Sequence, residues 1–145
     1  MKPAHSNSIS QACAVPYRVH SGRIEVCIVT SMKKRRWTFP KGIIEADETP
    51  IEAALKEAWE EAGVRGSVVG HSLGAYERRK LGMRIVVECY LMHVEREFQA
   101  WPESPFRQRT WVPLEEAADV VGCPAQRELF VTAIARLKRR RSQAG

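Results

Sequence analysis

The run Gly42-Ile43-Ile44-Glu45-Ala46-Asp47-Glu48-Thr49-Pro50-Ile51-Glu52-Ala53-Ala54-Leu55-Lys56-Glu57-Ala58-Trp59-Glu60-Glu61-Ala62-Gly63-Val64 decides how this chain is read. Thr49 is a capping residue and Pro50 suits the first helical turn, so a helix begins there. Ile51, Ala54, Leu55, Ala58 and Ala62 then recur at helical spacing, and Gly63 stops the helix. That helix carries Glu52, Glu57, Glu60 and Glu61. Glu57 lies three residues before Glu60 and four before Glu61, which places the three carboxylates on one side. Like charges so arranged repel, and a hard divalent cation resolves the repulsion. Mg²⁺ accepts a few carboxylates, keeps several waters and takes its other ligands from phosphate; Mn²⁺ is a second candidate. Taken alone, the glutamates also fit a solvated face with Glu52–Lys56 and Lys56–Glu60 pairs. The loop before the helix shifts the balance. Gly42 permits close approach and frees its carbonyl as a neutral ligand, and Glu48 adds a carboxylate at the positive end of the helix dipole.

The same run resembles the Nudix box: Gly, five residues, Glu, seven residues, then Arg-Glu-apolar-any-Glu-Glu-any-Gly-apolar. Every fixed position matches except one, where Lys56 stands for the family's arginine. A lysine cannot reproduce that arginine's bidentate hold on a box glutamate. The resemblance implies that Glu60 and Glu61 are the main metal ligands, that Glu57 is a ligand or general base, that the Gly42 carbonyl completes the inner shell, and that Glu48 supports the loop. It also implies hydrolysis of a diphosphate by metal-activated water. Family members often recruit one more carboxylate from a later loop; Glu103 is the first candidate and Glu88 the second.

Working outward, Ile9 to Arg18 and Arg23 to Ser31 read as two strands joined by a hairpin at His20-Ser21-Gly22. Val64 to Arg78 and Met83 to Val94 read as two more, and Arg107 to Val112 as a short one. Leu114 to Val120 and Pro124 to Arg140 follow as helices, the second with Leu129, Ala133, Ile134 and Leu137 on one face. Interleaved strands and helices in a short chain predict an α/β (α+β) fold with a mixed sheet flanked by helices. The resemblance makes this an α/β/α sandwich. The expected organisation is a flexible leader over 1–8, one domain over 9–138 and a basic tail over 139–145.

A chain of 145 residues is long enough for one core. Its formal net charge of +6 favours an anionic partner. Cys13, Cys27, Cys89 and Cys123 form no C-x-x-C pair, so neither a zinc ribbon nor a redox motif is readable. No run approaches the roughly 18 apolar residues of a membrane span, and no signal-peptide core precedes the domain. Reduced thiols and a cytoplasmic setting are expected, with no membrane partner and a monomer or homodimer.

The box does not choose a substrate. Its flanks, Gln11 to Arg18, Trp37 to Gly42, and Trp101-Pro102-Glu103 followed by Arg107-Gln108-Arg109-Thr110-Trp111, are similar to the branch acting on diphosphoinositol polyphosphates and diadenosine polyphosphates. Such substrates need cations besides the metal. Arg18, Lys33, Arg35, Arg36, Lys41 and Arg78 are the candidates, with Lys34, Arg79 and Lys80 beside them; for Lys33 to Arg36 a solvated loop fits as well. Trp37, Trp101 and Trp111 suit either base stacking or packing, and Trp59 suits packing. The alternatives are an RNA 5′-pyrophosphohydrolase, a nucleoside di- or triphosphate or nucleotide-sugar pyrophosphatase, and a non-catalytic nucleotide-binding module.

Overall fold

The computed structural model describes residues 8–33 and 36–144, with side chains through 140. The elements in order are β1 (Ser8–His20), β2 (Arg23–Thr30), β3 (Trp37–Thr38), β4 (Lys41–Ile43), α1 (Pro50–Ala62), β5 (Val64–Val68), β6 (Gly74–Lys80), β7 (Met83–Glu97), β8 (Arg109–Pro113), α2 (Leu114–Val120) and α3 (Pro124–Ala144). Among the described residues the strands form one mixed sheet. Only β1 and β7 pair in parallel, from Ser8↔Arg84 to Tyr17↔His93, and the other pairs are antiparallel.

The spine strand β1 is buried without alternation from Ala12 to Tyr17 because both faces of the sheet are covered. Ala12 and Ala14 face one helical layer, while Cys13, Val15 and Tyr17 face the other. The α1 layer meets the sheet through Ala53, Ala54, Ala58 and Ala62, all fully buried, so the helix lies close to the strands. On the opposite face α2 and α3 bury Leu114, Phe130, Ala133 and Leu137. Phe130 packs edge-on to Phe39, with ring centroids 5.5 Å apart. Each buried Leu or Phe side chain here contributes about 1.5–3 kcal/mol. The result is the expected α/β/α sandwich.

The partner change along β1 sets up the site. Tyr17 to His20 pair with β2, whereas Gln11 to Cys13 pair with β4, and Ala14 N donates to Pro40 O at 2.9 Å. Pro16, which has no N–H to give a ladder, falls at the changeover. From there β2 diverges to pair with β3 and β8.

Several boundaries differ from those predicted. The stretch 64–78 is two strands, β5 and β6, because both pair with β7 and the chain must step across between them; Val69 N and Leu73 N bond Leu91 O and Cys89 O on the way. Short β3 and β4 lie where no strand was expected; β3 pairs with β2, and β4 with β1 about thirty positions earlier. The final helix continues to Ala144 through the basic run expected as a tail. Residues 1–7, most of the expected leader, lie outside the described residues. No described helix is long and apolar enough to cross a membrane, and the four cysteines are free.

Candidate active site

Helix α1 begins in a capping box. Thr49 Oγ1 accepts from Glu52 N at 3.1 Å, and Glu52 Oε1 accepts from Thr49 N at 2.9 Å. Glu52 is thereby engaged in the cap. The helix ends at Gly63, whose φ of 68° is the left-handed conformation that glycine takes most easily. Between these ends Glu57 and Glu61 border the alanine face and are only 9% and 7% exposed, whereas Glu60 is partly exposed.

Each buried carboxylate has a specific neighbour. Glu57 lies over Gly42, where a Cβ would overlap the carboxylate. Glu61 Oε1 accepts from Lys41 N at 3.3 Å, and its Oε2 is 3.3 Å from Arg107 Nη2. Arg107 also donates from Nε to Glu103 Oε1 at 2.6 Å and from Nη1 to Thr30 O at 2.8 Å. A single guanidinium therefore links Glu61, Glu103 and the end of β2. Burial is the first cause that raises the pKa of Glu61, to about 8, with Arg107 opposing it and Glu57 and Glu103 adding to it. Glu57 is raised first by burial and then by the charge of Glu60. Glu103 bears on both carboxylates, while Glu88 lies on β7 beside Tyr90. Of the two late-loop candidates, Glu103 is the one brought to the cluster.

Lys56 Nζ meets Glu48 Oε2 at 2.7 Å, and Glu48 Oε1 accepts from Glu45 N at 2.9 Å. One oxygen of Glu48 is held by the lysine and the other by the loop backbone, so the loop keeps its support without a bidentate arginine.

Beside Glu61 opens a cleft of about 600 Å³. Its walls carry Lys33, Arg36, Lys41, Arg78, Arg79, Lys80 and Arg107 together with Gln11, Trp37 and Tyr76. Four of the positively charged candidates expected from sequence, Lys33, Arg36, Lys41 and Arg78, come with the neighbouring Arg79 and Lys80 from separate strands and loops to this one space. Arg18 does not. It pairs with Glu25 at 2.8 Å and Glu97 at 3.1 Å and stacks over Trp111 at 4.0 Å, because alternation along β1 turns it to the sheet face of Ala12, Ala14 and Trp111, away from that of Cys13 and Tyr17. Arg35 lies outside the described residues. Among the tryptophans only Trp37 borders the cleft: Trp101 and Trp111 donate to Glu61 O and Glu97 Oε2, and Trp59 packs on Phe98.

Sequence reading missed Arg107, Gln126 and Gln11. Gln126 is 2% exposed and joins two cleft walls, donating to Tyr76 Oη at 3.0 Å and accepting from Thr38 Oγ1 at 3.0 Å. The Gln11 side-chain oxygen is buried with no partner among the described residues. Nothing in local pattern distinguishes these residues from ordinary loop, strand or helix positions.

The donor chemistry fits a hard divalent cation. The candidate ligands are carboxylates and one glycine carbonyl, and burial with mutual repulsion holds Glu57 and Glu61 above the usual carboxylate range. Among the described residues no three such side chains stand close enough to hold a metal without adjustment. Arg107 supplies the positive charge between Glu61 and Glu103.

A family model for the NUDIX domain matches residues 11–132. The chain is 40% identical over 116 residues to Nudix hydrolase 4 of Arabidopsis thaliana, covering 73% of this chain and 56% of that protein. It is 34% identical over 102 residues to diphosphoinositol polyphosphate phosphohydrolase 3-beta of Homo sapiens, covering 68% and 61%. The chain thus spans a little over half the length of these relatives. The structure of a C. elegans Ap4A hydrolase binary complex superposes with a TM-score of 0.76 at 24% identity, over 90% of this chain and 98% of that one.

Proposed function

This chain belongs to the Nudix family, and from that membership we propose that it hydrolyses a diphosphate linkage in a polyphosphorylated small molecule, of the diadenosine-polyphosphate or diphosphoinositol-polyphosphate class. The observation that carries the substrate reading is the cleft: among the described residues, seven basic ones line one space that Glu61 also borders. So many cations around one carboxylate suit a ligand with several phosphates better than one with two.

Glu60 and Glu61 would hold Mg²⁺ or Mn²⁺, with Glu57 and the Gly42 carbonyl beside them and Glu103 in reach from the later loop. The ion supplies neutralisation of phosphate oxygens and a more acidic water. The chain's own residues do the rest. Lys41, Arg78 and Arg107 border the space where phosphate oxygens would lie and can donate charge-assisted hydrogen bonds to them. Lys41 N fixes one oxygen of Glu61, leaving the other to Arg107. Glu57, whose pKa is raised first by burial, is the candidate general base that would take a proton from the attacking water. Water adds to one phosphorus, the bridging P–O bond breaks, and the phosphate ester leaves with the bridging oxygen.

Phosphate release from diadenosine polyphosphates and from a diphosphoinositol phosphate, measured with Mg²⁺ and again with excess chelator, tests this reading. Turnover should require the metal, and Glu60→Gln should abolish it. Equal rates in chelator, or an unaffected Glu60→Gln variant, overturn it.

A further inference from the structure

The carbonyls of the last three residues of α1 and of its C-cap Gly63 all accept hydrogen bonds from one later segment. An α-helix leaves its last carbonyls without partners inside the helix. Here Glu60 O accepts from Glu103 N at 3.0 Å, and Glu61 O from Trp101 Nε1 at 3.0 Å. Ala62 O accepts from Arg109 Nη1 at 2.8 Å, and Gly63 O from Phe98 N at 2.9 Å. The segment from Phe98 to Arg109 thus grips the helix end that presents Glu60 and Glu61.

Arg109 is the one charged donor in this grip. Its Nη1 also reaches Phe98 O at 2.8 Å and Gly63 O at 3.5 Å, and its Nη2 pairs with Glu97 Oε2 at 3.2 Å. The side chain is 12% exposed and its guanidinium lies 4.1 Å above the Trp101 ring. Trp101 in turn packs on Gly63 so closely that a Cβ there would sit 2.8 Å from the ring. The electrostatics run in the same direction. Glu57, Glu60 and Glu61 load the negative end of the helix dipole, and α1 has no basic residue in its own last turn. Arg109 brings that charge from β8.

We propose that Arg109 is a positioning residue for the reaction: by binding the terminal carbonyls of α1 it fixes the direction in which Glu60 and Glu61 project toward the cleft. The proposal rests on the reading of α1 as the metal-holding helix. A guanidinium bridging several carbonyls holds orientation as well as position, and a lysine at the same place can satisfy only part of that set. Glu97 makes a useful contrast. It belongs to the same network, accepting from Arg18, Arg109 and Trp111, yet touches none of the α1 carbonyls.

The test compares Arg109→Met, Arg109→Lys and Glu97→Gln for melting temperature, for Mn²⁺ affinity by calorimetry, and for kcat and KM on a diadenosine polyphosphate. Arg109→Met should lower kcat at least about tenfold with KM changed less than about twofold, and should weaken Mn²⁺ binding severalfold. Arg109→Lys should fall between, and it carries the test if the methionine variant does not fold. Glu97→Gln should lower the melting temperature yet keep kcat and Mn²⁺ affinity near those of the parent protein. Matched losses of kcat and Mn²⁺ affinity in Arg109→Met and Glu97→Gln, or a melting loss alone in Arg109→Met, overturn the proposal. A parent protein that binds no Mn²⁺ overturns the reading of α1 itself, which distinguishes the two failures.

Discussion

The backbone of Gly42 lies directly beneath the carboxylate of Glu57, in the space that any side chain at residue 42 would need. The loop glycine and the helix glutamate, fifteen positions apart, are therefore one structural unit. Gly42→Ala should displace the end of the Glu57 side chain while leaving the helix and sheet in place, because the obstructing atoms belong to a flexible side chain. Turnover should drop by at least about tenfold, equivalent to ~1.4 kcal/mol of transition-state stabilisation, with the melting temperature nearly unchanged. Steady-state kinetics beside a thermal melt checks this.

The cleft cations and Arg18 should separate cleanly. Arg78→Ala removes a charge-assisted contact worth ~1.5–3 kcal/mol, so KM for a polyphosphate substrate should rise about tenfold or more. Arg18→Ala should leave KM unchanged and instead lower the melting temperature, since Arg18 is committed to Glu25, Glu97 and Trp111. Equal KM effects in the two variants would refute the placement of the substrate in the cleft.

Stability without metal should fall as pH rises. Glu61 has a folded pKa of about 8 against an ordinary 4.5, so the folded state holds its proton more tightly than the unfolded chain. The associated stabilisation is complete below about pH 4.5 and is lost as pH climbs through about 8. Mg²⁺ competes with that proton, and the rise in melting temperature it produces should grow across the same window. Melts with chelator and with Mg²⁺ between pH 5 and 8.5 read both trends, and Glu61→Gln should flatten the chelator curve.

Lys56 should matter more for turnover than for stability. Its bond to Glu48 is a surface ion pair, which contributes little to folding. Lys56→Met should leave the melt nearly unmoved yet lower kcat severalfold by loosening the loop that ends at Glu48, whereas Lys56→Arg should keep activity. A Lys56→Met variant with full kcat would show that the loop holds itself.

The parts of the site that were legible in the sequence are local. Thr49, Glu52 and Gly63 act within a turn or two of one helix, and the Glu57, Glu60 and Glu61 spacing is a property of helical periodicity, so each could be read from neighbouring residues. The strands were legible in existence but not in extent. The split of 64–78 into β5 and β6 reflects where β7 has pairing positions free, which no pattern inside that stretch encodes.

Helical periodicity, capping chemistry and the apolar, β-branched runs that become β1 and β7 thus settle from the chain alone that a glutamate-bearing helix stands against a mixed sheet. Tertiary structure decides what surrounds those glutamates. Arg107 reaches Glu61 across 46 positions and Arg109 reaches Ala62 across 47, while Arg18 is drawn away to Glu97, 79 positions on. Contacts at such separations depend on sheet register and on the path of the 98–109 segment. Neither follows from the identity of an arginine or its neighbours, because the same residue on the adjacent position of a strand faces the opposite side of the sheet.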